Sequence, residues 1–413
     1  MDARGSRITF EDGRTALDLA DSPGLLGHRH PRLVARMRAA VEQPALGESH
    51  ATREREEAAQ ELLSFAFAEE PWAAGVRFCT TASEAIDIAL ALAQSLSGRS
   101  PLVVRECAYH GPVGLAREAS TLAPLRGGLA AADGGWTLPP RGAELRTLPA
   151  PACAALGEPA GDCHADALAG ADALLDGAAA AVMDYGSGAV YPCAAYQDEL
   201  ARRTRAAGAL WLQDEAITGL GRTARWFAFQ RGAERPDLVA LGKGLTGGYA
   251  PGGALVLSAE LIERLEGTRW MTFSTWRGHT LTVAAISETL RTIHEEQLLA
   301  RAAQLGERLA ARLRELLAAH PCLARVSGEG LVWNLELRGP ADQAFARWDG
   351  AVAQPGPAQL LRDAALARGL FLRPIGPLGL WLFSPMTIED DDLETALAIL
   401  DESLSTLDER VAS

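Results

Sequence analysis

The fold is decided by Ala209-Leu-Trp-Leu-Gln-Asp214-Glu215-Ala-Ile217-Thr218-Gly219-Leu-Gly221-Arg222-Thr223 and, after Pro236-Asp237, by Leu238-Val-Ala-Leu-Gly242-Lys243-Gly-Leu-Thr-Gly-Gly. Each segment opens with a short apolar run that shows no polar alternation, the mark of a strand buried on both faces. One run ends at an acid and the other at a lysine, 29 residues further on. Outward from this pair the pattern repeats. Gly75–Cys79, Pro101–Arg105, Ala178–Asp184 and Gly253–Leu257 read as strands, and Ser83–Leu96 and Tyr196–Ala207 as helices. Such alternation predicts an α/β fold with a mostly parallel sheet covered on both faces.

Beyond Thr275 the pattern changes. A long helix is expected from about Leu281 through Ala318, then a strand over Gly330–Leu337, a helix over Ala358–Arg368, strands around Phe371 and Trp381, and a closing helix Asp391–Leu407. These read as a smaller α+β domain. Residues 1–20 look like a hairpin turning at Glu11-Asp12-Gly13-Arg14, Pro31–Gln43 and Glu54–Phe67 are helical, and Gly127–Gly161 is a long connection rich in Gly, Pro and Ala. The expected division is a large domain over 46–275 and a small one built from 1–45 and 276–413.

Composition narrows the function. Net charge is −14, so the surface field repels phosphate backbones and anionic lipid, which argues against nucleic acid and membrane partners. No run of about 18 apolar residues predicts a membrane span, and the polar N-terminus lacks a signal peptide's apolar core. The six cysteines show no CxxC spacing and read as reduced thiols of a cytoplasmic protein, neither a disulfide framework nor a zinc site. Of the 39 basic residues, Lys243 is the only lysine. Where every other cation is arginine, a retained lysine points to chemistry that arginine cannot do: losing its proton near neutral pH and forming an imine.

Pyridoxal phosphate (PLP) needs such a lysine, with an acid for its pyridine nitrogen, a phosphate cup and a platform for its ring. Asp214, at a strand end, is the candidate acid. Thr81, Ala82 and Ser83, between a strand and a helix, are the candidate cup; read blandly, they are a plain helix cap. Tyr109, in Ala-Tyr109-His110-Gly111, is the candidate platform. Two other patterns are decoys. Gly219-Leu-Gly221-Arg-Thr-Ala224 matches a dinucleotide fingerprint, but Arg225-Trp-Phe is a poor start for the helix that an NAD site requires. His28 and His30 have no accompanying acid or cysteine cluster and read as a structural turn, so no metal is expected.

These residues closely resemble the class III aminotransferases of the type I PLP fold, in order along nearly the whole chain. Leu26-Gly-His28-Arg-His30-Pro resembles an early family element, Val76–Ala85 its phosphate-binding segment, Tyr109-His110-Gly111 its ring-stacking element, Asp214–Thr223 with Gly242-Lys243 its centre, and Ser384-Pro385-Met386-Thr387-Ile its C-terminal element. The resemblance implies a PLP-dependent aminotransferase that moves an amino group between an amine or amino acid and a 2-oxo acid or aldehyde, through a Schiff base at Lys243. It implies that Asp214 holds the pyridine nitrogen, that Thr81, Ala82, Ser83, Tyr109, His110 and Ile217 contact the cofactor, and that Thr275 binds its phosphate across the interface of a homodimer. Departures touch the substrate side. Ile217 stands where the family often has glutamine, Asp184-Tyr185 where it has Glu-Pro, and Trp381 where many members carry a carboxylate-binding arginine. Arg373 is the replacement candidate, and Arg373, Trp381 and Glu215 are the expected substrate residues. The alternatives are an aminomutase resembling glutamate-1-semialdehyde aminomutase, decarboxylation or racemisation on the same scaffold, and a catalytically silent PLP-fold binding protein.

Overall fold

The computed structural model describes residues 1–127, 129–130, 136–138, 140–153, 155–157, 163–338 and 356–411. Among these described residues, seven strands form the central sheet: β1 (Ala73–Cys79), β2 (Leu102–Arg105), β3 (Leu145–Leu148), β4 (Ala180–Asp184), β5 (Leu210–Asp214), β6 (Leu238–Leu241) and β7 (Gly253–Ser258). Their order is β1-β7-β6-β5-β4-β2-β3, parallel throughout except for β7, which runs against both neighbours.

The unbroken apolar runs are explained by strand parity, since successive side chains leave opposite faces. Val104, Val182, Leu212 and Ala240 pack with Ile86, Ala89, Leu90 and Ala93 of the helix Ala82–Ser97. Their neighbours Val103, Ala181, Met183 and Trp211 pack on the other face with Tyr196, Leu200 and Ala201 of the helix Ala194–Ala206. Both faces are core, so these strands begin as unbroken apolar runs, and their polar residues (Arg105, Asp184, Gln213 and Asp214) stand at the C-terminal ends.

A four-stranded sheet joins the chain's two ends: Asp2–Arg4, Arg7–Thr9 and Thr15–Asp18 form a meander, and Leu370–Phe371 adds in parallel to the third strand. The expected hairpin is therefore three strands. A second sheet consists of Leu323–Glu329, Val332–Leu337, Gly379–Phe383 and Arg373–Ile375, all antiparallel. The two family-like elements at the chain's ends lock together, with Thr387 Oγ1 donating to the Leu26 carbonyl at 3.0 Å and the Met386 amide to Leu25 at 2.9 Å.

Four expectations need correction. The long helix over 281–318 is two helices, Thr280–Glu295 and Leu298–Ala319, broken where Gln297 adopts a left-handed φ of 52°. The connection Gly127–Gly161, part of which lies outside the described residues, contains the edge strand β3. Cys153 and Cys163 form a disulfide, so these two are not the reduced thiols expected. Finally, His28 has acidic company: its Nε2 lies 2.9 Å from Asp18 Oδ2, and Asp21 belongs to the same group. The decoy glycines sit in a turn, fixed by Arg222, whose guanidinium donates to the carbonyls of Ser384 and Ser22. The chain beyond them makes only a short turn, Ala228–Arg231, rather than the helix of a dinucleotide site.

Candidate active site

Parallel pairing brings the C-terminal ends of β2, β4, β5 and β6 to one edge of the sheet, where open α/β sheets collect ligands. Asp214 is in register with Asp184 on one side and Ala240 on the other. Lys243 follows β6 at the same edge, while the antiparallel β7 brings Gly253 back opposite Cys79. One cleft there is lined by Ala82, Ser83, Tyr109, His110, Asp214, Ile217 and Lys243, residues drawn from four stretches of sequence.

Asp214 is buried and held at both oxygens. His110 Nδ1 lies 2.9 Å from Oδ2, and the Ala216 amide donates to Oδ1 at 2.9 Å. The His110 amide in turn donates to Ser120 Oγ at 2.9 Å, which fixes the imidazole's backbone. Lys243 is the centre's other charge. Burial lowers its pKa, Asp214 opposes that shift, and the Arg373 charge adds to it. Its φ of 42° is left-handed, a conformation that costs a non-glycine residue on the order of 1 kcal/mol or more and recurs at functional sites.

The cup is built by close approach. Thr81 caps the helix Ala82–Ser97 by accepting the Glu84 amide at 3.1 Å, so the plain cap is present. The first-turn amides of Ala82 and Ser83 nevertheless fall outside the helix's own ladder and can receive an anion. A Cβ at Gly242 would meet Ala82 Cβ at 2.7 Å, one at Gly253 the Thr81 carbonyl oxygen at 2.4 Å, and one at Gly111 Ser83 Oγ at 2.0 Å. Three glycines thus let the loop settle onto the sheet edge.

Other expected residues lie elsewhere. Glu215 is buried, but its carboxylate is taken up by the Thr218 hydroxyl and the amides of Ala228 and Phe229, at 2.5, 3.1 and 2.9 Å, and it does not line the cleft. Burial raises its pKa to about 7 despite those donors. Thr275 is exposed on this chain and lies outside the cleft. Arg373 and Trp381 are register partners on adjacent strands, with the guanidinium 5.9 Å from the indole centroid. The Arg373 charge is felt at both Lys243 and Tyr109, though neither Arg373 nor Trp381 is among the cleft's lining residues.

Sequence reasoning missed Asp184, Tyr185 and Ser187, which line the cleft beside Asp214. Asp184 Oδ1 accepts from the buried Arg105 Nη2 at 2.7 Å. The signal was available: Asp184 ends an apolar strand just as Asp214 does.

PLP fits this arrangement. His110 Nε2, Asp184 Oδ2 and Ser187 Oγ are buried without a hydrogen-bond partner in the cleft wall, each at a cost of about 1–3 kcal/mol unless a polar ligand answers it. The cleft also brings together a desolvated lysine, a fixed carboxylate, an aromatic ring and an anion cup.

Comparison with known proteins agrees. The family model for aminotransferase class-III matches residues 1–404. The chain is 30% identical to the acetylornithine aminotransferase of Mycolicibacterium smegmatis, over 98% of this chain and 93% of that protein. It is 29% identical to the diaminobutyrate--2-oxoglutarate aminotransferase of Rhizobium meliloti, over 99% and 88%. The crystal structure of an S-selective transaminase from an Arthrobacter species superposes with a TM-score of 0.91 at 24% identity, covering 99% of this chain and 93% of that one. This last likeness concerns the fold.

Proposed function

We propose specific roles for residues of this chain on the premise that it belongs to the class III aminotransferases and is a PLP-dependent enzyme of amino-group transfer. The supporting observation is that a partly buried Lys243 and a fixed Asp214 line one cleft at the same sheet edge. PLP, when bound, supplies the electron sink that lets an amino group pass between carbon skeletons. Lys243 holds the cofactor covalently. Once free, its neutral amine takes and returns the proton at the substrate's Cα. Asp214 presents its carboxylate to the ring nitrogen, Tyr109 covers one ring face, and Ile217 closes the other side against water. The amides of Ala82 and Ser83, helped by Thr81, hold the phosphate.

The partner subunit's Thr275 completes that cup in a homodimer. Supporting this reading, Met271, Phe273 and Trp276 flank Thr275 at 79%, 68% and 60% exposure, an apolar run that one chain leaves open to water. Arg373 receives the substrate carboxylate beside the Trp381 ring, which suits an amino acid donor and a 2-oxo acid acceptor. The large domain spans 46–275, and the small domain, from 1–45 and 276–413, carries Arg373.

The test is a single-turnover titration of the PLP-loaded enzyme with amino acids and diamines, followed by visible absorption. An effective donor bleaches the cofactor band, and a 2-oxo acid restores it. If no donor bleaches the band while Lys243→Ala behaves as the wild type does, this assignment of roles is wrong.

A further inference from the structure

Away from the cleft, three of the six cysteines meet. Cys153 follows β3, Cys163 opens the short helix Cys163–Ala167, and Cys193 caps the helix Ala194–Ala206. Their sulfurs all lie within 4.8 Å of one another. Cys153 and Cys163 are joined as a disulfide, and Cys193 Sγ rests 3.2 Å from Cys163 Sγ. A disulfide accounts for two of these sulfurs and leaves the third pressed against the pair.

We propose that in the reduced protein Cys153, Cys163 and Cys193 form a three-thiolate site for a thiophilic metal ion, with zinc as the probe. An ion accounts for all three sulfurs. Zinc–sulfur bonds of about 2.3 Å set thiolates roughly 3.8 Å apart around a tetrahedral ion. The Cα atoms of Cys153 and Cys163, 5.0 Å apart, are close enough for both thiolates to reach one ion after the disulfide opens.

Two backbone amides already point at the sulfurs. The Cys193 amide donates to Cys153 Sγ at 3.2 Å and the Tyr196 amide to Cys193 Sγ at 3.4 Å. Such outer hydrogen bonds orient metal-ligating thiolates. The cluster opens on a cavity of about 450 Å³, which leaves the fourth position to water. Arg225 and Arg231 line that cavity, and both pair with the single carboxylate of Glu329. Among the described residues lining the cavity, the resulting surplus positive charge complements the net negative charge of zinc bound by three thiolates.

The chemistry balances with a reductant. A phosphine, oxidised to its oxide with water, delivers two electrons and opens the disulfide to two thiols. Binding Zn²⁺ then releases up to three protons as three Zn–S bonds form. Nothing in the cysteine spacings points to this site, because separations of 10 and 30 residues match no local motif. Only the return of the chain through β4 brings Cys193 to the other two.

The test uses the PLP-loaded enzyme, reduced with a phosphine under argon and titrated with Co²⁺ and then Zn²⁺. Thiolate-to-cobalt charge-transfer absorption should saturate at one ion per chain and be displaced by one zinc, with a rise in Tm. Cys193→Ser should weaken zinc binding at least tenfold. Cys163→Ser should do the same, which guards against a fold defect peculiar to one variant, and Cys79→Ser and Cys322→Ser should leave binding unchanged. Absence of charge transfer in the reduced wild type, unchanged affinity in both Cys193→Ser and Cys163→Ser, or a disulfide that stays closed in the folded, phosphine-treated enzyme would each overturn the proposal.

Discussion

A lysine serves as a base near neutrality only when something disfavours its ammonium form, and at Lys243 burial does this. The residue was legible from the sequence because it stands alone among arginines. Asp214 was legible because an acid ending an apolar run is out of place unless it has a task. Glu215 was harder. It was expected among the substrate residues, but its carboxylate anchors the segment Ala228–Phe229. That anchoring has a measurable signature. Its carboxyl is raised from 4.5 to about 7, so the folded state binds this proton more tightly than the unfolded chain does. The contribution to stability is complete below the unfolded value and is lost as pH rises through about 7. Glu215→Gln removes the titration and keeps an acceptor oxygen. The variant's Tm relative to wild type should therefore climb between pH 5 and pH 8, by the equivalent of a few kcal/mol. A gap that stays flat across that range would show that Glu215 does not titrate there.

Among the elements, the loop between β1 and the helix Ala82–Ser97 is the one whose placement the site depends on, and glycines set that placement. Gly253→Ala would drive a methyl into the Thr81 carbonyl, a clash no side-chain rotation relieves. The expected result is a loss of about 1–3 kcal/mol in stability and a weaker hold on PLP, measured as at least a tenfold rise in its Kd. Unchanged PLP affinity would mean that the loop does not shape the cup. Element types were largely readable here, since both-face burial left unbroken apolar runs. Two features were not. β3 is a four-residue edge strand with Leu145, Arg146 and Thr147 only partly buried or exposed, so it lacks the apolar signature of its neighbours. The break after Glu295 carries no glycine or proline, only Gln297 in a left-handed turn, and apolar periodicity resumes at once in Leu298.

At the scale of the whole molecule, Thr275 lies outside the cleft on an exposed apolar segment, where the proposed homodimer would carry it to the partner's phosphate cup. Light scattering should give twice the chain mass. A complementation experiment carries more information. Lys243→Ala and Thr275→Asp should each be inactive alone. Dissociated and re-formed together, they should recover roughly a quarter of wild-type activity, because each mixed dimer of a two-fold assembly holds one site free of both changes. No recovery despite mixed-dimer formation would place Thr275 in its own chain's site or in none. Sequence resemblance alone suggested this cross-subunit role, since pattern and spacing within one chain cannot say which copy a residue serves. No helix among the described residues is long and apolar enough to cross a membrane.

The central claim is that PLP is held at Lys243, and the most direct measurement is to load the enzyme with PLP, reduce it with borohydride, digest it and locate the modified residue by mass spectrometry. The account requires the pyridoxyl mass on the peptide containing Gly242-Lys243-Gly244 and its absence from Lys243→Ala. With no other lysine in the chain, a stable adduct on any other peptide, or an unmodified Lys243 in a protein that transaminates, would contradict it.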